Sequence, residues 1–236
     1  MDRVDNGWFN FKEINKGIWV INDKTGANCY LVKGDTNSLL IDTGWGLGNL
    51  AGLVQSLSSL PVSVVFTHGH PDHVNGAFQF SDLYITPEDE KLLKIFYIKE
   101  TREQILNRFK DIFSSDFSKD NWINAEITDP SIISEDYIFD LGGRELKVLR
   151  CPGHTPGSIC LLDKLNSYSD SFNTILSDYD EKPVNTVVIE ELINGVSEII
   201  EGKIKGNQKK TRFGEALVSK LDHSSINYNE KSLIKQ

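Results

Sequence analysis

Three of the chain's five histidines fall within six residues, His68-Gly69-His70-Pro71-Asp72-His73. Neutral imidazole and carboxylate are the donors that suit zinc and other divalent first-row metals. A turn containing Gly69 and Pro71 at the end of a strand lets these side chains converge from one loop onto one point. A second loop has the same character: Cys151-Pro152-Gly153-His154-Thr155-Pro156-Gly157-Ser158 brackets one histidine with two prolines and two glycines. Two stiff loops, each following a strand and each carrying histidine, predict a metal centre and the chemistry such a centre supports.

Those loops need elements to hold them. Ile18-Trp19-Val20-Ile21, Cys29-Tyr30-Leu31-Val32 and Ser38-Leu39-Leu40-Ile41 are short apolar runs, punctuated by Gly26, Gly34-Asp35 and Asp42-Thr43-Gly44. Such runs between turn residues predict strands and hairpins. Leucines at 47, 50, 53, 57 and 60 have helical spacing, and Pro61 stops the pattern. Val62-Ser63-Val64-Val65-Phe66 then reads as a strand covered on both faces, closing a βαβ unit just before His68. Residues 88–130 read as a helical insert with a polar second half. Tyr137–Phe139 and Leu146–Leu149 read as a hairpin turning at Gly142-Gly143, its second strand leading into the Cys151 loop. Ser158–Leu162 is a further strand. Beyond Asp163 the pattern predicts a short strand at Thr174–Leu176, a helix over Val187–Ile204 and a polar tail, 205–236, with a strand near Ser225–Tyr228. Lys209-Lys210-Thr211-Arg212 reads as a solvated charge cluster.

The chain has 236 residues, 39% hydrophobic and 25% charged, with a formal net charge of −9. That size fits one domain spanning 1–236 and a core that needs no staples. The apolar fraction excludes a disordered chain. The acidic balance argues against nucleic acid or an anionic membrane as partner, since both call for a basic footprint. No apolar run approaches the ~18 residues of a membrane helix. The opening Met-Asp-Arg-Val-Asp-Asn-Gly-Trp lacks a signal-peptide pattern, and Cys29, Cys151 and Cys160 read as reduced thiols. A cytoplasmic protein acting on a small-molecule substrate is the expectation.

The chain closely resembles the metallo-β-lactamase superfamily. Its hallmark His-x-His-x-Asp-His is seen as His68 to His73, its Pro-Gly-His-Thr-Pro-Gly-Ser loop as Pro152 to Ser158, and its early Asp-Thr-Gly as Asp42-Thr43-Gly44. All three stand in the family's order, and the resemblance covers roughly residues 15 to 204. It implies an α/β fold, the four-layer αββα sandwich, with metals at one edge between two sheets. It implies a first metal site of His68, His70 and His154, and a second that includes Asp72 and His73. Asp42 would orient a liganding histidine, a role suited to a carboxylate, or serve only as a turn former.

Two expected ligands depart from the pattern. After Ser158–Leu162 the strand and turn that should carry a bridging Asp are missing, and the chain reads Asp163-Lys164-Leu165-Asn166-Ser167-Tyr168. Where a last histidine belongs stand Asp178 and Tyr179, and His223 lies in the tail outside any motif. Asp163 and Asp178 are candidate replacements. Three histidines and a water complete a catalytic zinc site. The expectation is therefore one well-held zinc, with the second ion weak or absent and iron or manganese as alternatives. An interior strand lost after Asp163 would leave edges that a second copy of the chain could cover as a homodimer.

Two functions follow from the resemblance. The first is a metallo-hydrolase in which the metal activates water against an ester, thioester or lactone carbonyl, with Asp72 orienting the nucleophile or relaying its proton. The second is a degenerate relative that keeps fold and metal without turnover. The superfamily's oxygen-reducing diiron branch uses Glu where His70 stands, and its nucleic-acid-processing branch needs a basic path that this chain lacks.

Overall fold

The structure is a computed structural model that describes residues 4–109, 112–164, 203, 207–211, 214–220 and 225–228. Its first sheet has eight strands in sequence order: β1 (Val4–Asp5), β2 (Phe9–Asn15), β3 (Ile18–Asp23), β4 (Asn28–Lys33), β5 (Ser38–Ile41), β6 (Val62–Val65), β7 (Leu83–Ile85) and β8 (Ser131–Ile132). The strands are antiparallel from β1 to β5 and parallel from β5 to β8. Helix α1 (Leu50–Leu57) makes the crossover from β5 to β6. Its cap is Asn49, whose side chain accepts from the Gly52 N–H.

The continuous apolar runs exist because this sheet is covered on both faces. Val20, Tyr30, Val32, Leu39, Ile41 and Val65 point to one core, and Leu31, Leu40 and Val64 to another. Against the first face lies a three-stranded antiparallel sheet, β9 (Ile138–Asp140), β10 (Glu145–Arg150) and β11 (Ile159–Lys164), through Phe139, Leu146, Val148, Ile159 and Leu161. The β9–β10 turn falls at Gly142 (φ 76°) and Gly143 (φ 68°), the left-handed pair such hairpins require. Against the second face lie α1 and the insert helices α3 (Pro87–Ile95), α4 (Lys99–Leu106) and α5 (Lys119–Ile123), through Leu50, Val54, Leu93, Ile105, Leu106 and Trp122.

Within the insert, Arg102 is fully buried. Its guanidinium stacks 3.8 Å from the Trp122 ring and 4.4 Å from Tyr97. Its Nε donates to the Trp122 carbonyl at 2.6 Å, while Nη2 has no partner.

The strand at Ser225–Tyr228 is present as β14, and it belongs to a three-stranded sheet with β12 (Asn207–Thr211) and β13 (Gly214–Lys220). The region read as a polar tail therefore contains two strands that its lysines and polar residues concealed. The expected strand at Thr174–Leu176, the helix at Val187–Ile204, the missing interior strand after Asp163, and Asp178, Tyr179 and His223 lie outside the described residues.

Candidate metal centre

Both histidine loops open at the same end of the two sheets. His68 follows β6, where the Phe66 N–H donates to the Tyr84 carbonyl and Thr67 begins the loop. His154 lies in the connection from β10 to β11. The two loops are tied where the Ile159 N–H donates to the Thr67 carbonyl at 2.9 Å.

The first motif differs from the turn read in the sequence. Pro71 starts a one-turn helix, α2 (Pro71–Val74), with His70 at its cap. Proline suits the first helical position because its missing N–H would have no intrahelical partner there and its φ is preset. Asp72 and His73 are thus placed by a helix, and His68 and His70 by the bent segment before it.

The rings of His68, His70 and His154 form a nearly equilateral triangle, with centroids 4.8, 4.7 and 4.6 Å apart. One ring nitrogen from each lies within 4.8 Å of the other two. His70 Nδ1 and His154 Nε2 are 2.8 Å apart, a hydrogen bond in which one imidazole donates to the other. His68 is buried, His70 half-buried and His154 exposed, so the triangle opens to solvent on the His154 side. His68 Nε2 is buried with no hydrogen-bond partner. Burial first, and then the neighbouring histidines, hold the pKa of His68 and of His70 below the ordinary imidazole value. Both rings are therefore neutral, the form that ligates metal.

His73 lies beside the triangle, its ring 3.9 Å from that of His68. Its Nδ1 is 2.8 Å from Asp42 Oδ2, and its Nε2 is 3.7 Å from Asp72 Oδ2. Asp42 does orient a histidine. It also accepts from the Thr67 N–H at Oδ1 and from the Thr67 hydroxyl at Oδ2, both at 2.7 Å. It does so at φ 61°, left-handed backbone that Asp and Asn tolerate better than other non-glycine residues. Among the described residues no third ligand joins Asp72 and His73, and the triangle is the one group of three or more donors.

Asp163 is not a replacement ligand. Its carboxylate is buried against the Arg144 guanidinium, which donates to it through Nε at 3.2 and 3.1 Å and through Nη2. Arg144 also donates to the carbonyls of Lys16 and Lys33, so the pair ties the second sheet to the first.

The site rests on two residues that sequence reading missed. Thr67 bridges Asp42 to the His68 ring, its hydroxyl 3.1 Å from His68 Nδ1. Asp89, the third residue of α3, is 1% exposed although it stands in the acidic run Glu88-Asp89-Glu90, which by itself reads as a solvated helix start.

This fold and this cluster define a class, and the comparisons agree with it. The family model of the metallo-beta-lactamase superfamily matches residues 22–168, and the chain belongs to that superfamily. Acyl-coenzyme A thioesterase MBLAC2 of Homo sapiens is 30% identical over 175 residues, covering 66% of this chain and 63% of that protein. The chain thus spans just under two thirds of that relative's length. Hydroxyacylglutathione hydrolase GloC of Haemophilus influenzae is 31% identical over 143 residues, 58% of this chain and 60% of that one. Among solved structures, the class B3 di-zinc metallo-beta-lactamase LRA-12 from an Alaskan soil metagenome aligns with a TM-score of 0.50 at 16% identity, covering 82% of this chain and 73% of that one. FEZ-1 metallo-beta-lactamase from Legionella gormanii aligns with a TM-score of 0.50 at 14% identity, over 81% and 74%. The fold is the α/β metallo-β-lactamase sandwich. No helix among the described residues is long and apolar enough to cross a membrane.

Proposed function

We propose that the chain is a metal-dependent hydrolase of small acyl thioesters, with zinc as its metal, held by His68, His70 and His154. The observation that carries this reading is the triangle itself: three imidazole nitrogens within 4.8 Å of one another, on rings that include His68 with its buried and unpartnered Nε2. A buried polar atom left without a partner costs about 1–3 kcal/mol, and a cation at the triangle removes that cost. An all-imidazole donor set suits zinc and leaves a position open for water. When bound, a divalent ion supplies Lewis acidity and brings the pKa of a water from 15.7 to about 7.

The chain's own residues supply positioning and proton handling. Asp42 accepts from His73 Nδ1 and so fixes the ring with Nε2 turned toward Asp72. Asp72, with its side chain 37% exposed, sits at the solvent-open rim. Its carboxylate takes a proton from the attacking water at Oδ2 and returns it as the product leaves. Asp72 and His73 also form a partial second site, two donors that hold an ion weakly. The thioester assignment follows from the names of MBLAC2, an acyl-coenzyme A thioesterase, and GloC, a hydroxyacylglutathione hydrolase. It also suits the site: a thiolate leaves with a pKa near 8.5, so departure needs no strong general acid beside Asp72.

The reading of the chain as a metal binder without turnover draws on the absence of a third ligand beside Asp72 and His73 among the described residues. Assay of thiol release from an acyl-coenzyme A and from a hydroxyacylglutathione separates the two. Turnover that is abolished by chelation, restored by zinc and lost in His154→Ala supports the hydrolase. Bound zinc with no release of thiol from either substrate supports the second reading.

A further inference from the structure

The start of α3 is wedged between the two histidine loops, and its Asp89 reaches both. Asp89 Oδ2 accepts from the Gly69 N–H at 2.9 Å and from the Thr155 hydroxyl at 2.5 Å, and Oδ1 accepts from the Gly157 N–H at 3.0 Å. Gly69 separates His68 from His70, and Thr155 follows His154 directly. One buried carboxylate therefore joins two backbone segments distant in sequence, at the points where each presents its metal donors. The approach is too close for side chains. A Cβ at Gly69 would lie 2.9 Å from the Asp89 carbonyl oxygen and 3.0 Å from Leu92 Cβ, and one at Gly157 would overlap the Asp89 carboxyl carbon. Neighbouring contacts fix the same joint. Thr86 Oγ1 donates to the Gly157 carbonyl at 2.8 Å, and Arg150 bridges the Glu88 carboxylate at 2.6 Å and the Pro156 carbonyl at 2.8 Å.

We infer that Asp89 is a positioning residue that holds the His154 loop against the His68–His70 loop and so sets the metal affinity of the triangle. It touches neither metal nor substrate. It acts by fixing how far His154, the exposed member of the triangle, stands from the other two rings. A carboxylate is the group the geometry requires, because all three partners are donors. An asparagine would aim an amino group at one of them and leave an N–H or O–H without an acceptor. The inference rests on the three-histidine metal site proposed above.

The test is zinc affinity of the full chain, measured by competition with a chromophoric chelator, together with the visible spectrum of the cobalt form. Partners of metal ligands change affinity by about 10–100-fold when removed. Asp89→Asn is expected to weaken zinc by that factor and to alter the cobalt spectrum. Thr155→Val, which deletes one of the three donors, should weaken zinc by less. Val20→Ala, in the fully buried core of β3, provides a control that loses stability and keeps wild-type affinity and spectrum. The inference is overturned if Asp89→Asn and Thr155→Val bind zinc as wild type does, or if Val20→Ala loses as much affinity as Asp89→Asn. If Asp89→Asn does not fold, Thr155→Val decides, and wild-type affinity and spectrum there overturn the inference. If the wild-type chain itself binds neither zinc nor cobalt, the three-histidine site fails first and the inference falls with it.

Discussion

Asp42→Asn separates the charge of the Asp42 carboxylate from its shape. Asparagine also tolerates φ 61°, so the backbone stays in place. The carboxylate receives three hydrogen bonds: from Thr67 N–H at Oδ1, and from Thr67 Oγ1 and His73 Nδ1 at Oδ2. The amide cannot reproduce them in either orientation. With its NH2 toward His73, the ring must move its proton to Nε2 and loses the lone pair that faces Asp72. With its NH2 toward Thr67, the backbone N–H there loses its acceptor. One buried hydrogen bond to a charged acceptor contributes about 1.5–3 kcal/mol, and 1.36 kcal/mol is a factor of ten. The change reaches the triangle through the Thr67 hydroxyl, which spans Asp42 Oδ2 and His68 Nδ1, and the expected loss of zinc affinity is about tenfold to a hundredfold, with thioester turnover falling in parallel. The assay is zinc competition and thiol release on the same preparation, with circular dichroism as the folding control. A folded Asp42→Asn protein with wild-type zinc affinity and turnover would refute the reasoning.

Three further outcomes are expected. Asp163→Asn breaks the buried pair with Arg144 and should lower stability by about 3–5 kcal/mol while leaving zinc affinity unchanged; a loss of zinc would return Asp163 to the ligand set. Arg102→Ala removes a guanidinium stacked on Trp122 and Tyr97 together with its hydrogen bond to the Trp122 carbonyl, and should cost about 3 kcal/mol in denaturant unfolding. The metal-free protein should lose stability as pH falls below 6.5, the ordinary value for imidazole, because the unfolded chain then takes protons that the lowered pKa values of His68 and His70 deny the native state. The slope is up to about 1.4 kcal/mol per pH unit for each ring, read from denaturant midpoints between neutral and mildly acid pH; a flat profile would contradict it.

The parts of the fold that sequence reading found are those where side-chain pattern and burial coincide. β3 to β6 carry apolar residues on both faces because both faces are covered, and the Gly142-Gly143 turn announces its hairpin through the backbone it demands. The triangle was legible because histidine is scarce in this chain and two stiff loops concentrate it. What was not legible depends on partners distant in sequence. Asp163 is a plausible ligand as a letter, and only Arg144, packed against it from the turn before β10, shows that its charge is already used. Asp89 is one of three consecutive acidic residues, and only the folded chain shows which of them faces Gly69 and Gly157. Pro71 was read as part of a turn, while its position one residue after His70 starts a helix. β12 is polar throughout, and in β13 the short run Ala216-Leu217-Val218 stands among polar residues.

The most direct test of the metal centre is the metal content of the purified chain after zinc loading and exhaustive dialysis, for wild type and His154→Ala side by side. The triangle predicts about one tightly held zinc ion per wild-type chain and its loss when the His154 ring is removed. Wild-type protein that retains no zinc, or a His154→Ala variant that retains as much as wild type, would contradict the assignment.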